Sequence, residues 1–211
     1  MKKIKQLSLV ILLLASACSS SRITTSWKAK DATPLKYKNI LVLGLIPEKD
    51  RRIQERMEQH VAGDLTDLGY NAISALQEYG PKTFDGLSEK EVIQMLANKG
   101  VDAIVTIVLI DKKKERKYIP GRSYSSGEFW NYIGSRNRMI YEPGYYVTDT
   151  KYFWESNFYE MQNQALLYSV QTRSFSPETT DAMSHEYGRL IVNDMVKQKI
   201  LLKKETVEEE N

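Results

Sequence analysis

Apolar residues fall into two rhythms along this chain, unbroken runs of strand length and stripes that recur every three or four positions. Residues 39–46 (NILVLGLI) form the first run. Beyond Pro47, the stripe Ile53, Met57, Val61, Leu65 and Leu68 predicts a helix with one core face, and Gly69 stands where a left-handed cap ends it. Residues 70–76 read as a second strand. Ser88 and Glu91 make a capping box that opens a helix through Val92, Leu96 and Ala97, closing at Gly100. Residues 101–110, apolar on both faces, read as a third and central strand. Strand and helix alternate with short connections, and right-handed βαβ crossovers place these strands in a parallel sheet.

The second half has a different rhythm. Lys112, Lys113, Lys114, Arg116 and Lys117 read as the solvated end of the third strand, the alternative being a contact for anionic head groups or phosphates, and residues rich in Tyr, Gly, Ser and Arg follow without a period as far as Asp149. An insertion of that length marks a functional loop or an unstructured one. Residues 152–159 and 165–172 are strand-like and joined by a polar link at 161–164, which predicts an antiparallel hairpin with one better-buried face. Ser176 as N-cap and Pro177 in the first turn open a final helix with the stripe Met183, Tyr187, Leu190, Ile191, Met195 and Val196. The expected fold class is α/β: a mixed sheet of about five strands, parallel βαβαβ then an antiparallel hairpin, flanked by three main helices. The expected division is a signal peptide at 1–17, a polar tether at 18–38, one α/β domain at 39–202 with an aromatic, Gly-rich insertion at 118–149, and a charged tail at 203–211. In the tether, Trp27 is expected to cap the core where the chain enters the domain.

The first residues set the compartment. Lys2, Lys3 and Lys5 precede the apolar stretch 7–14, and Ala15, Ser16 and Ala17 supply the small residues a signal peptidase needs. The stretch is too short for a permanent membrane span, which takes about 20 apolar residues. Cys18 is the only cysteine, so no internal disulfide can form. A cysteine directly after such a site resembles the bacterial lipobox, although Ala15 stands where that pattern favours Leu. The resemblance implies a diacylglycerol on the thiol and, after cleavage, a third acyl chain on the new amine. Each buried CH₂ contributes about 0.8 kcal/mol of membrane affinity, so two or three chains hold a protein that one would not. The same three residues also read as an ordinary A-x-A site leaving a free thiol. Ser19 stands where inner-membrane retention in well-studied envelopes resembles an Asp requirement, which implies sorting to the outer membrane with the domain in the periplasm. Loss of residues 1–17 removes three lysines and no acids, leaving 27 basic against 27 acidic side chains. A neutral mature chain lacks the broad basic footprint of a nucleic-acid binder.

The strand opening at Ile40, the helix ending in Leu68, Gly69 and Tyr70, the Gly100-Val101-Asp102-Ala103 strand entry, and residues 155–175 with their Ser-Phe-Ser-Pro exit resemble small bacterial envelope lipoproteins of the DUF4136 type, similar in fold to the N-terminal domain of TolB. The resemblance covers nearly all of residues 39–200. It implies a mixed sheet flanked by helices, displayed on a lipid tether, that acts by binding other proteins, peptidoglycan synthases and secretion assemblies among them. Its motifs are architectural and carry no mechanism.

A search for chemistry returns little. His60 and His185 are the only histidines, and no pair has the spacing of two metal ligands on one helix face, so no metal or cofactor is expected. Ser184 and His185 are consecutive on a helix and point to different sides, which argues against a hydrolytic triad with Asp181. Asp64, Asp67 and Asp102 read as solvent-facing or capping acids, and no phosphate-binding or nucleophile-elbow motif is present. No catalytic residue is named, and the chain is read as a non-enzyme. The insertion is richer: Phe129, Trp130, Tyr132, Tyr141, Tyr145 and Tyr146 alternate with Arg136 and Arg138, a mix suited to binding another envelope protein. The same rings could stack on glycan or take lipid, or fold back over the sheet without binding anything. A periplasmic hydrolase with an unrecognised site is the third functional class. The expected partners are the bilayer, through acylated Cys18, and another envelope protein, with no nucleic acid.

Overall fold

The computed structural model describes residues 20–32, 37–82, 84–119, 133–134 and 144–202. The apolar run expected first is strand β2 (Asn39–Leu45), preceded by an unexpected β1 (Ser21–Lys28). A 3₁₀ turn at Glu48–Asp50 leads into helix α1 (Arg51–Asp67), then β3 (Asn71–Ser74), a short α2 (Ala75–Tyr79) and α3 (Glu89–Asn98). Strands β4 (Ala103–Ile119), β5 (Tyr145–Glu160) and β6 (Ala165–Phe175) precede α4 (Thr180–Lys197). The fold is α/β: one mixed six-stranded sheet in the order β1-β6-β5-β4-β2-β3, with four helices flanking it among the described residues.

Local signals place most of these elements. Gly69 ends α1 with φ +90, a conformation that costs glycine nothing. Ser88 and Glu91 form both bonds of the capping box. Strand β2 pairs parallel with β3 and with β4, and β4, β5, β6 and β1 are successively antiparallel. The larger core lies where α1 and α4 cover one face: Met57, Val61 and Leu65 of α1 and Met183, Tyr187 and Ile191 of α4 meet Val42, Ile107, Trp154, Phe158 and Tyr168. On the other face α2 and α3 cover only the parallel end, enclosing Leu41, Ala75 and Leu96. Full burial of each such large side chain contributes about 1.5–3 kcal/mol, so the first layer carries most of the stability.

Four local expectations are corrected. Residues 21–28, read as part of a tether, are an edge strand whose Thr and Ser are compatible with a half-solvated ladder. Trp27 does not cap the core, being 52% exposed. The last helix starts at Thr179, whose side chain accepts from Ala182 N at 3.0 Å, three residues beyond the expected Ser176 cap. The third strand does not end at residue 110: β4 continues through the exposed basic run to Ile119, and β5 starts at Tyr145, ahead of the expected segment 152–159. Two further differences follow: there are six strands instead of about five, and the segment read as strand at 70–76 turns helical at Ala75.

The ladder β4–β5 outgrows its neighbours. Strand β2 leaves β4 after Val108, and β6 leaves β5 at Lys151, opposite Phe175. Beyond these points, among the described strands, Lys114 to Ile119 and Tyr145 to Thr150 form a ladder with each other alone, as a two-stranded arm projecting from one end of the sheet, with Ser176 N donating to Thr150 O at its base.

Candidate functional site: the aromatic arm and the open half of the sheet

The chain enters the sheet beside the base of this arm. Ser20 donates from its N and its Oγ to Glu186 Oε2 of α4, at 3.1 and 2.7 Å, and its carbonyl accepts from Phe175 N at 2.8 Å. Cys18 lies outside the described residues, yet only Ser19 separates it from this anchored position.

Register sorts the arm into two faces. One carries Lys114, Arg116, Tyr118, Tyr146, Thr148 and Thr150, with no acid among them. The Arg116 guanidinium sits 4.6 Å above the Tyr146 ring, and the Tyr118 ring lies 5.2 Å from the same ring. The other face pairs its charges, Lys117 with Asp149 and Lys151 with Glu115, and ends in Ile119, Val147 and Tyr145. The hydrogen bond and charge of Lys117 hold the Asp149 carboxyl below its ordinary range, with Ser176 adding a bond. Tyr145 and Tyr146 are 62% and 61% exposed. Of the expected binding residues, the structure brings these two together with Arg116 and Tyr118. Phe129, Trp130, Tyr132, Arg136, Arg138 and Tyr141 lie outside the described residues.

From β5 to β1 the sheet face opposite α1 and α4 mixes polar side chains with the rings of Trp27, Phe153 and Phe175, and among the described residues no helix packs on it. Thr25 Oγ1 donates to Gln171 Oε1 at 3.3 Å, Gln171 Nε2 to Glu155 Oε2 at 3.3 Å, and Asn157 Nδ2 to Glu155 Oε1 at 3.2 Å. At the arm end of this face, Arg22, Arg173 and Lys151 lie 5.4, 4.8 and 5.8 Å from the Phe175 ring. Sequence reading missed this lattice; the alternation of Gln171 and Arg173 in β6 was its only signal.

The titratable groups elsewhere hold structure together. His60 Nε2 lies 3.2 Å from Asp181 Oδ1, and that hydrogen bond, ahead of the charges, lowers the Asp181 pKa. His60 meets His185 edge to face at 5.4 Å, whereas Ser184 is buried and donates to Thr180 O at 2.8 Å, away from both rings. Asp64, expected in solvent, turns a buried and unpaired Oδ2 towards Gly188, where the two helices come too close to admit a Cβ. Burial raises its pKa, against the lowering pull of both histidines. Glu58 is fully buried and accepts from Gly44 N, Gln54 Nε2, Ser74 Oγ and Leu76 N at 2.9, 3.0, 2.6 and 2.7 Å. It ties α1 to β2, β3 and α2. Among the described residues no group of three or more His, Cys, Asp or Glu side chains could hold a metal ion. Two open clefts flank β4, one of about 540 Å³ at its start beside Tyr37 and Glu160 and one of about 660 Å³ at its middle beside Asp50 and Lys112.

No family model matches the chain, and no curated protein does. Among solved structures, the PelC dodecamer from Paraburkholderia phytofirmans is similar over 88% of this chain and 99% of that one, at 8% identity and a TM-score of 0.44. The lipoprotein GNA1162 from Neisseria meningitidis is similar over 76% of this chain and 99% of its own, at 15% identity and a TM-score of 0.41. Neither likeness carries a function to this chain.

Proposed function

We propose that this chain is a lipid-anchored, non-catalytic binding protein of the bacterial cell envelope, held in the outer membrane by an acylated Cys18 and presenting the open half of its sheet to another envelope protein in assembly or maintenance of the cell surface. The observation that carries the reading is the N-terminal pattern: three lysines, an apolar stretch, Ala15-Ser16-Ala17 and the only cysteine. In its support, no helix among the described residues is long and apolar enough to cross a membrane, which leaves the acyl chains as the anchor. The binding role is supported by the uncovered β5-β6-β1 face, whose Glu155, Gln171 and Asn157 are held in place by one another and so are preorganised for a polar partner.

Two measurements test it. Mass spectrometry of the mature N-terminus should find diacylglycerol on Cys18, and a bare thiol there would remove the anchor. A photo-crosslinker at the exposed Gln171, used in living cells, should yield one dominant protein adduct. Retention on glycan instead, with no protein adduct, would replace the adaptor by a glycan-binding module.

A further inference from the structure

The arm and the chain's entry point leave the sheet at the same end, and their lengths differ. Ser20 stands level with Phe175, Lys151 and Lys113 through a continuous ladder. From Ser20 to Cys18 the chain has two residues, a reach of at most about 7 Å. From Lys113 the arm runs six residues to Ile119, about 20 Å at strand rise. The arm therefore outreaches any attachment at Cys18 by about 13 Å, whereas the headgroup layer on one side of a bilayer is only about 5–8 Å thick. An acylated Cys18 leaves no room to hold the arm clear of the membrane while the sheet stands on that end.

What the arm carries decides how it meets the surface. A two-stranded ribbon open on both edges cannot enter hydrocarbon, because its backbone N–H and C=O groups would go unsatisfied. It can lie in the headgroup layer, where tyrosines concentrate and where lysine and arginine meet anionic headgroups. Exposed Tyr118, Tyr145, Tyr146, Ile119 and Val147 fall at the tip, the far end of the described arm, and Lys114 and Arg116 stand behind them on the face that has no acid among the described residues. We infer that the arm is a second membrane contact: its aromatic tip rests in the headgroup layer of the leaflet that holds the Cys18 lipid, with the Lys114–Arg116 face against anionic phosphates, and the sheet is inclined on the membrane. This rests on the lipid-anchor reading.

Thr148, exposed on that face, is the reporter position, and Gln162 in the turn at the other end of β5 is the control. Full-length T148C and Q162C proteins, labelled with an environment-sensitive fluorophore, are placed in vesicles of phosphatidylglycerol and phosphatidylethanolamine. The Thr148 label should shift to the blue and be quenched by lipids carrying a shallow nitroxide, and the Gln162 label should remain water-like. Adding K114E and R116E should abolish the shift. A water-like Thr148 label on protein whose mass includes the lipid overturns the arm contact and leaves the anchor standing. A blue-shifted label that nitroxide lipids do not quench also overturns it, in favour of pairing between arms of two copies. A Cys18 without lipid is seen separately in the mass, and it overturns both readings.

Discussion

With four donors converging on it, the Glu58 carboxylate leaves several buried polar groups stranded if it is removed. Glu58→Ala should lower the unfolding free energy by roughly 3 kcal/mol or more, as read from urea denaturation, since each stranded donor costs about 1–3 kcal/mol. Asp64 acts in the opposite sense. Burial raises its pKa above 3.8, so its contribution is complete below that value and is lost as pH rises through the higher folded value. At neutral pH the ionised group therefore works against the fold, and Asp64→Asn should raise the urea midpoint at pH 7 while leaving it nearly unchanged at pH 3. Neither role was legible in the sequence. Glu58 looked like an ordinary polar helix position, and its burial depends on Gly44, Ser74 and Leu76, which folding brings in from other segments. Gly44 admits this approach because any Cβ there would press on Gln54 and Glu58 at 2.7 and 2.8 Å.

At the scale of elements, legibility followed hydrophobic contrast. Helix α1 and the β5–β6 hairpin bury one face more than the other, and their periods predicted them; β2, buried on both faces, was legible as an unbroken apolar run. Strand β1 and the arm have little or no buried face, so Thr-rich or Lys-rich strands looked the same as solvated coil. The cap of α4 was misplaced because Ser176 and Thr179 carry the same signal, and Ser176 instead adopts φ +39. Thr179→Ala should cost about 1 kcal/mol in thermal or urea unfolding, and Ser176→Ala should have no capping effect. The arm has its own test at Gly144, where a Cβ would strike the Ile119 carbonyl and the Tyr118 ring. Gly144→Ala should unpair the tip, read as faster amide exchange from residue 116 to 119 with no change in α1.

Across the whole molecule, buried tyrosines set the alkaline limit, three of them above all. Burial raises the pKa of Tyr37, Tyr168 and Tyr187 above 10.0; the Asp194 carboxylate that accepts from Tyr168 at 2.6 Å adds to its rise. Their contribution is complete below the unfolded value near 10 and falls as pH rises above it, because only the unfolded chain gives up those protons. Circular dichroism should therefore report cooperative alkaline unfolding, with part of the tyrosinate absorbance appearing in the same transition. Tyr187→Phe, which removes one of these protons at the cost of its bond to Ser156, should shift that transition to higher pH.

The order of the sheet also dictates a timetable. Ser21 is made well before the hydroxyl it meets, on Ser174, which follows 153 positions later. The outermost strand must wait, unzipped, until β6 has been made. Closure of that edge is thus a late step of folding, and until then the chain is a natural client for a holding chaperone.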